Sequence, residues 1–135
     1  MYLLDTNACI RILNNSSPSL VARLRLHQPS EIRLSAITRA ELLYGARHSG
    51  RVSENLRVLA RFLEPFACLP FDDACAEHYG MIRADVAARG QVIGPNDLLI
   101  AATARAHDLT LVTHNLREFS RIVGLRLDDW ERAIR

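Results

Sequence analysis

Five residues scattered along the chain carry side chains that could do chemistry together. They are Asp5 after the apolar run "YLL", Glu41 in "ITRAELLYGA", Asp97 at the head of "PNDLLIAATA", and Asn115 with Glu118 in "THNLREF". Each offers oxygen to a ligand. Carboxylates gathered in one pocket repel one another, and their ionised forms persist together when a cation sits among them. Asp, Glu and Asn without a His/Cys cluster suit a hard divalent ion, Mg²⁺ or Mn²⁺, rather than zinc. Such an ion activates and orients a water and neutralises charge on a phosphate, so the reaction class is phosphodiester hydrolysis without a protein nucleophile. A metal would also account for an acid at position 97 beside Leu98, Leu99, Ile100 and Ala101, where an unpaired charge is costly.

Each of these residues also has an ordinary structural use. Asp5, Thr6 and Asn7 are good helix caps for a chain leaving a strand, and Thr38 with Glu41 has the spacing of a capping box. Gly94-Pro95-Asn96-Asp97 reads as a helix start, with proline first and an acid near the positive end of the dipole. Capping gives no reason for these groups to gather on one edge of a sheet. A shared site does.

The elements that must position them alternate between short strands and longer helices. Strand character shows at 2–4, 32–37, 67–70, 110–113 and 125–127, and helical character at 7–14, 18–28, 38–48 and 95–107. Two further helices show as apolar stripes, Val52, Leu56, Leu59, Leu63 and then Cys75, Tyr79, Ile82, Val86, the second followed by Gly90 as a stop signal. This alternation predicts an α/β fold with a small, mainly parallel sheet and right-handed crossovers, whose ligand site lies at the strand carboxyl ends. Asp5, Glu41 and Asn115 each follow a strand, and Asp97 opens the helix that leads into 110–113. The segment "RVSENLRVLARFLEPF" at 51–66 carries apolar residues on more than one side, which predicts a dimer interface or a partner groove.

The length of 135 residues is that of a single domain, 1–135, able to bury a core without metal or disulfide. With 49% hydrophobic and 24% charged residues the chain is not of the disordered class. Cys9, Cys68 and Cys75 are odd in number and form no Cys-x-x-Cys pair, and "MYLLDTN" is unlike a secretory signal, so a reducing cytoplasm is expected. No run approaches the ~20 apolar residues of a membrane span. A net charge of +2 does not announce nucleic acid, although all 17 basic residues are arginine, a choice compatible with RNA.

Other chemistries find less support. His27, His48, His78, His107 and His114 form no pair with zinc-ligand spacing, and neither a nucleophile elbow nor a phosphate-binding glycine loop is present. Arg39, Arg47, Arg83 and Arg117 are candidates to meet an RNA backbone. Aromatic residues are only 6% of the chain, and Tyr2, Tyr44, Tyr79 and Trp130 read as packing residues rather than a stacking platform.

Taken in order, "LDTN" at 4–7, "ITRAELLYGA" at 37–46, "IGPNDLLIAATARAHDLTLVTHN" at 93–115 and "REF" at 117–119 resemble the PIN-domain ribonucleases, specifically the VapC toxin family of bacterial toxin–antitoxin pairs. The resemblance covers nearly the whole chain and implies a PIN-like three-layer α/β/α sandwich. Residue by residue, Asp5, Glu41 and Asp97 match the family's acidic positions. A fourth position, often Asp, is Asn115 here, with Glu118 as a nearby further acid; an amide coordinates an ion or its waters but adds no negative charge. The resemblance further implies a Mg²⁺-dependent endoribonuclease, with Mn²⁺ as substitute, that cuts structured RNA, transfer RNA above all, and so stops translation. It implies 5′-phosphate and 3′-hydroxyl product ends, a homodimer, and neutralisation by a cognate VapB-like antitoxin. Two rival readings use the same residues: a PIN-like module that holds RNA or protein without cutting, motivated by Asn115, and a nuclease directed at DNA.

Overall fold

Five short strands, β1 (Tyr2–Leu4), β2 (Ile32–Ser35), β3 (Ala67–Leu69), β4 (Thr110–Val112) and β5 (Leu127–Asp128), pair in the order β3-β2-β1-β4-β5. Every pairing in this computed structural model, which describes residues 1–132, is parallel. The helices are α1 (Thr6–Leu13), α2 (Pro18–Leu24), α3 (Ala36–Arg47), α4 (Val52–Leu63), α5 (Asp73–Ala88), α6 (Pro95–Ala106) and the single turn α7 (Leu116–Phe119).

Alternation along the strands sorts the core into two layers. Leu3 and Leu111 face α5 and α6, packing with Ile82, Val86, Leu98 and Ile100. Their neighbours Leu4 and Val112 face the opposite way, against Ala8, Leu20, Leu42, Leu59 and Trp130. Both faces of the sheet are therefore covered, as an all-parallel sheet requires, and the result is the expected α/β/α sandwich. Within α6, Ala101, Ala102 and Ala104 are fully buried, so small side chains let this helix lie close to its neighbours. That close packing fixes the helix carrying Asp97.

Several boundaries move from the sequence reading. The strand foreseen at 32–37 stops at Ser35, because the Ser35 hydroxyl accepts a hydrogen bond from the Thr38 amide at 3.0 Å and caps α3 two residues earlier. The Thr38/Glu41 capping box therefore does not form, and Glu41 is left to make other contacts. The helix foreseen at 18–28 ends at Leu24, followed by a 3₁₀ turn at Pro29–Glu31. The last strand lies at Leu127–Asp128 rather than 125–127, and α7 was not foreseen, since four residues are too few to show a period. Gly90 does end the α5 segment, at a φ of 68° that side-chain-bearing residues rarely adopt.

The strand order places a topological switch beside β1. From β1 the chain moves to β2 and β3 on one side, while β4 and β5 lie on the other. The loops leaving β1 and β4 diverge at that point and open a crevice at their carboxyl ends. Asp5 follows β1 directly, and Thr113 to Asn115 follow β4. Among the described residues no helix is long and apolar enough to cross a membrane.

Candidate active site

Asp5 is both a cap and a site residue. One of its oxygens accepts the Ala8 amide at 2.7 Å, starting α1. The residue is 5% exposed, and this burial raises its pKa, against hydrogen bonds from the Thr113 side chain and the Ala8 amide that lower it. Thr6, next in sequence, donates to Glu41 Oε1 at 2.7 Å and lies 3.0 Å from the Thr38 hydroxyl. The step from β1 into α1 thus orients an acid on α3. Sequence alone showed Thr6 as a cap only, because its partner lies 35 positions away.

Asp97 stands in the first turn of α6, behind Pro95 at the helix start. A helix N-terminus favours an ionised carboxylate, yet here the pKa moves the other way. Partial burial first, and then the charges of Glu118, Asp5 and Glu41, push Asp97 up to about 6. Three carboxylates therefore act on Asp97 through space. Asp5, Glu41 and Asp97 line one cleft of about 590 Å³, together with Thr6, Asn7 and Asn96.

Asn115 and Glu118 stand beside this cleft rather than in its lining. Asn115 lines an adjoining recess of about 220 Å³ that shares Asp5 and Asn7 with the main cleft. Its side-chain amide donates to one Glu118 oxygen at 2.9 Å, and the Gly94 amide donates to the other at 2.8 Å. These two bonds hold the Glu118 pKa below the ordinary range. Gly94 sits where Asp97 and Glu118 converge, since a methyl group placed on it would lie 3.6 Å from Asp97 Oδ2 and 3.9 Å from Glu118 Oε1.

This network gives a physical reason for an amide at position 115. Asparagine can donate to Glu118, whereas aspartate would set a second carboxylate against it. Asn115→Asp is expected to destabilise the metal-free protein by about 1–3 kcal/mol, the cost of replacing a hydrogen bond by a like-charge contact. Urea unfolding in EDTA and in Mg²⁺ measures this, and the deficit should shrink with the ion present. Equal deficits in both conditions would show that the added charge does not face the cleft.

Tyr44 corrects the sequence reading. It is 67% exposed on the lip of the cleft, one turn beyond Glu41, with its ring stacked on His48 at 5.4 Å. Trp130, by contrast, is buried as expected, its ring 4.9 Å from His27 and its N–H donating to Asp128. Of the candidate arginines, Arg39, Arg47 and Arg117 are exposed, and Arg83 donates to the Tyr79 hydroxyl. His114 borders the smaller recess, its ring 3.0 Å from the buried Asp129, and with Glu131 these side chains form a group close enough to share an ion. Arg11 and Arg132 pair with its two acids.

One family model, described as the PIN domain, matches residues 2–125. The chain is 42% identical, over 96% of its length and 97% of the relative's, to the tRNA(fMet)-specific endonuclease VapC of Shigella flexneri. Among solved structures, it is similar to VapBC from Salmonella typhimurium bound to DNA, with a TM-score of 0.90 at 40% identity, covering 96% of this chain and 97% of that one. VapBC2 from Rickettsia felis bound to a promoter DNA fragment gives a TM-score of 0.89 at 38% identity, covering 96% and 98%. Family model, relatives and fold agree over nearly the whole length, and the chain belongs to the PIN-domain family as an endoribonuclease toxin of the VapC type.

Proposed function

We propose that this protein cuts structured RNA, transfer RNA in the first place, at the cleft of Asp5, Glu41 and Asp97, with Mg²⁺ as its natural ion and Mn²⁺ as a working substitute. The observation that carries this reading is the single cleft lined by Asp5, Glu41 and Asp97, in which burial first, and then the charges of Glu118, Asp5 and Glu41, raise the Asp97 pKa. Acids that oppose one another in a partly buried cleft fit a hard divalent cation, which relieves their repulsion. When bound, such an ion neutralises charge on the phosphate and activates the attacking water.

The chain's own residues supply the rest. Asp5, Glu41 and Asp97 are the ligands proposed here, and Asn115 offers its carbonyl oxygen from the neighbouring recess. Thr6 orients Glu41, while Asn115 and Gly94 orient Glu118, which holds negative charge next to Asp97. The transfer RNA substrate is supported by the relative of Shigella flexneri, whose name specifies that substrate class. Cleavage of transfer RNA in Mg²⁺, abolished by EDTA and restored by Mn²⁺, is the expected result. RNA binding without turnover would make the chain a binding module, and equal cutting of DNA would make it a general nuclease.

Tyr44 offers an open aromatic face on the cleft lip, and an unstacked RNA base gains about 1–3 kcal/mol from such a ring. Tyr44→Ala is expected to raise KM for RNA about tenfold with kcat little changed, and Tyr44→Phe to leave both near the starting values. Steady-state kinetics on a transfer RNA separates these. Loss of kcat in the phenylalanine variant would assign the hydroxyl a role instead.

The proposed assembly is a homodimer in the cytoplasm, neutralised by a cognate VapB-like antitoxin. Its support is an apolar groove of about 370 Å³ between α1, α3 and α4, lined by Ile10, Leu13, Leu42, Val58 and Leu59 and reaching Glu41. A partner seated there would cover the exposed Ile10 and Val58 and reach the lip of the cleft.

A further inference from the structure

The end of α6 remote from Asp97 carries a second group of donors with different chemistry. Asp72 caps α5, one oxygen accepting the Cys75 amide at 3.1 Å. Cys75, in the first turn of that helix, is fully covered, and His107 is the C-cap of α6. A carboxylate oxygen, the Cys75 sulfur and a His107 ring nitrogen all lie within 4.8 Å of one another. A tetrahedral zinc site sets neighbouring donors about 3.5 Å apart, so small side-chain movements suffice to close the group on an ion.

A second observation concerns the same histidine. His107 Nε2 is the one buried side-chain nitrogen or oxygen without a hydrogen-bond partner among the described residues. Buried polar atoms are paired almost without exception, and an unpaired one calls for a water or an ion. Sulfur and imidazole are the donors that select zinc-class ions over Mg²⁺, whereas the acidic cleft offers oxygen alone.

We propose that Asp72, Cys75 and His107 bind a zinc-class cation, with water as a fourth donor, and that this ion pins the start of α5 to the end of α6. Asp72 is exposed and gives the ion a way in from solvent. His107 lies ten residues beyond Asp97, roughly 15 Å along the helix at ~1.5 Å per residue, so the site is separate from the cleft. Its role is to brace the far end of the helix that presents Asp97.

Co²⁺ is the probe, because a thiolate ligand gives it a charge-transfer absorption that oxygen ligands do not. The expected result is that band in the wild-type protein, absent in Cys75→Ala, weakened in His107→Gln and unchanged in Cys68→Ala. Zn²⁺ about a hundredfold above its Kd should raise the melting temperature by roughly 10 °C in the wild type but not in Cys75→Ala. Both Cys75→Ala and His107→Gln should keep Mg²⁺-dependent RNA cleavage, which shows that they fold. No band in the wild type, a band that follows Cys68, or a band indifferent to His107→Gln would each overturn the site.

Discussion

Asp97→Asn is expected to lower kcat for RNA cleavage by about 10³-fold while leaving KM within a few-fold of its starting value. A metal ion and the groups that hold it act on charge that develops at the phosphate, and removing one such electrostatic element costs about 10²–10³ in rate or more. RNA affinity comes mostly from contacts outside the reacting atoms, so KM changes little. The same change should raise the melting temperature in EDTA. Above pH 6 the Asp97 carboxylate is ionised among Glu118, Asp5 and Glu41, and the amide is not. An inactive variant that is more stable without metal cannot be dismissed as misfolded. Activity within a factor of two of the wild type would remove Asp97 from the mechanism, and a drop in metal-free stability would mean that the carboxylate is held by partners other than a cation.

The second large effect is on pH. Asp97 is raised from 3.8 to about 6, and Asp5 is raised as well. Between the unfolded and folded values the native protein binds more protons than the unfolded chain, so metal-free stability falls as pH rises through about 4 to 6 and stays low above it. Glu118 is lowered and works in the opposite sense, but its contribution is complete above the ordinary glutamate value of 4.5. Mg²⁺ competes with the proton on Asp97, so its affinity should weaken about tenfold per pH unit below 6 for each proton displaced. Melting temperatures in EDTA and in Mg²⁺ across this range check both statements. The stabilisation by Mg²⁺ should be small near pH 5 and largest above pH 7. A Mg²⁺ shift independent of pH, or metal-free stability that rises through the window, would contradict the shared acidic cleft.

How much of this was legible in the sequence depends on the range of each interaction. Asp5 and Asp97 follow from local rules: an acid after an apolar run, and an acid after Gly-Pro at a helix start. The α5 stripe and its Gly90 stop were legible for the same reason. Thr38 and Glu41 show the limit of a sequence pattern, because the expected capping box gives way to a Ser35 cap on the Thr38 amide and to part-buried side-chain contacts of both residues with Thr6. Tyr44 was read as packing because an aromatic at helical spacing is usually buried; its exposure depends on where α3 meets the cleft.

From the amino-acid order alone came the alternation of strands and helices, the parallel α/β class, the oxygen-rich donor set and the resemblance that named the family, since each is written in neighbouring residues or in motif spacing. Tertiary structure decided which acids share a cleft and which stand beside it, that the Gly94 amide donates to Glu118, and that Asp72 and Cys75 meet His107. Those outcomes depend on strand order and helix packing, which bring together groups 24 to 35 positions apart or more, beyond the reach of any local pattern.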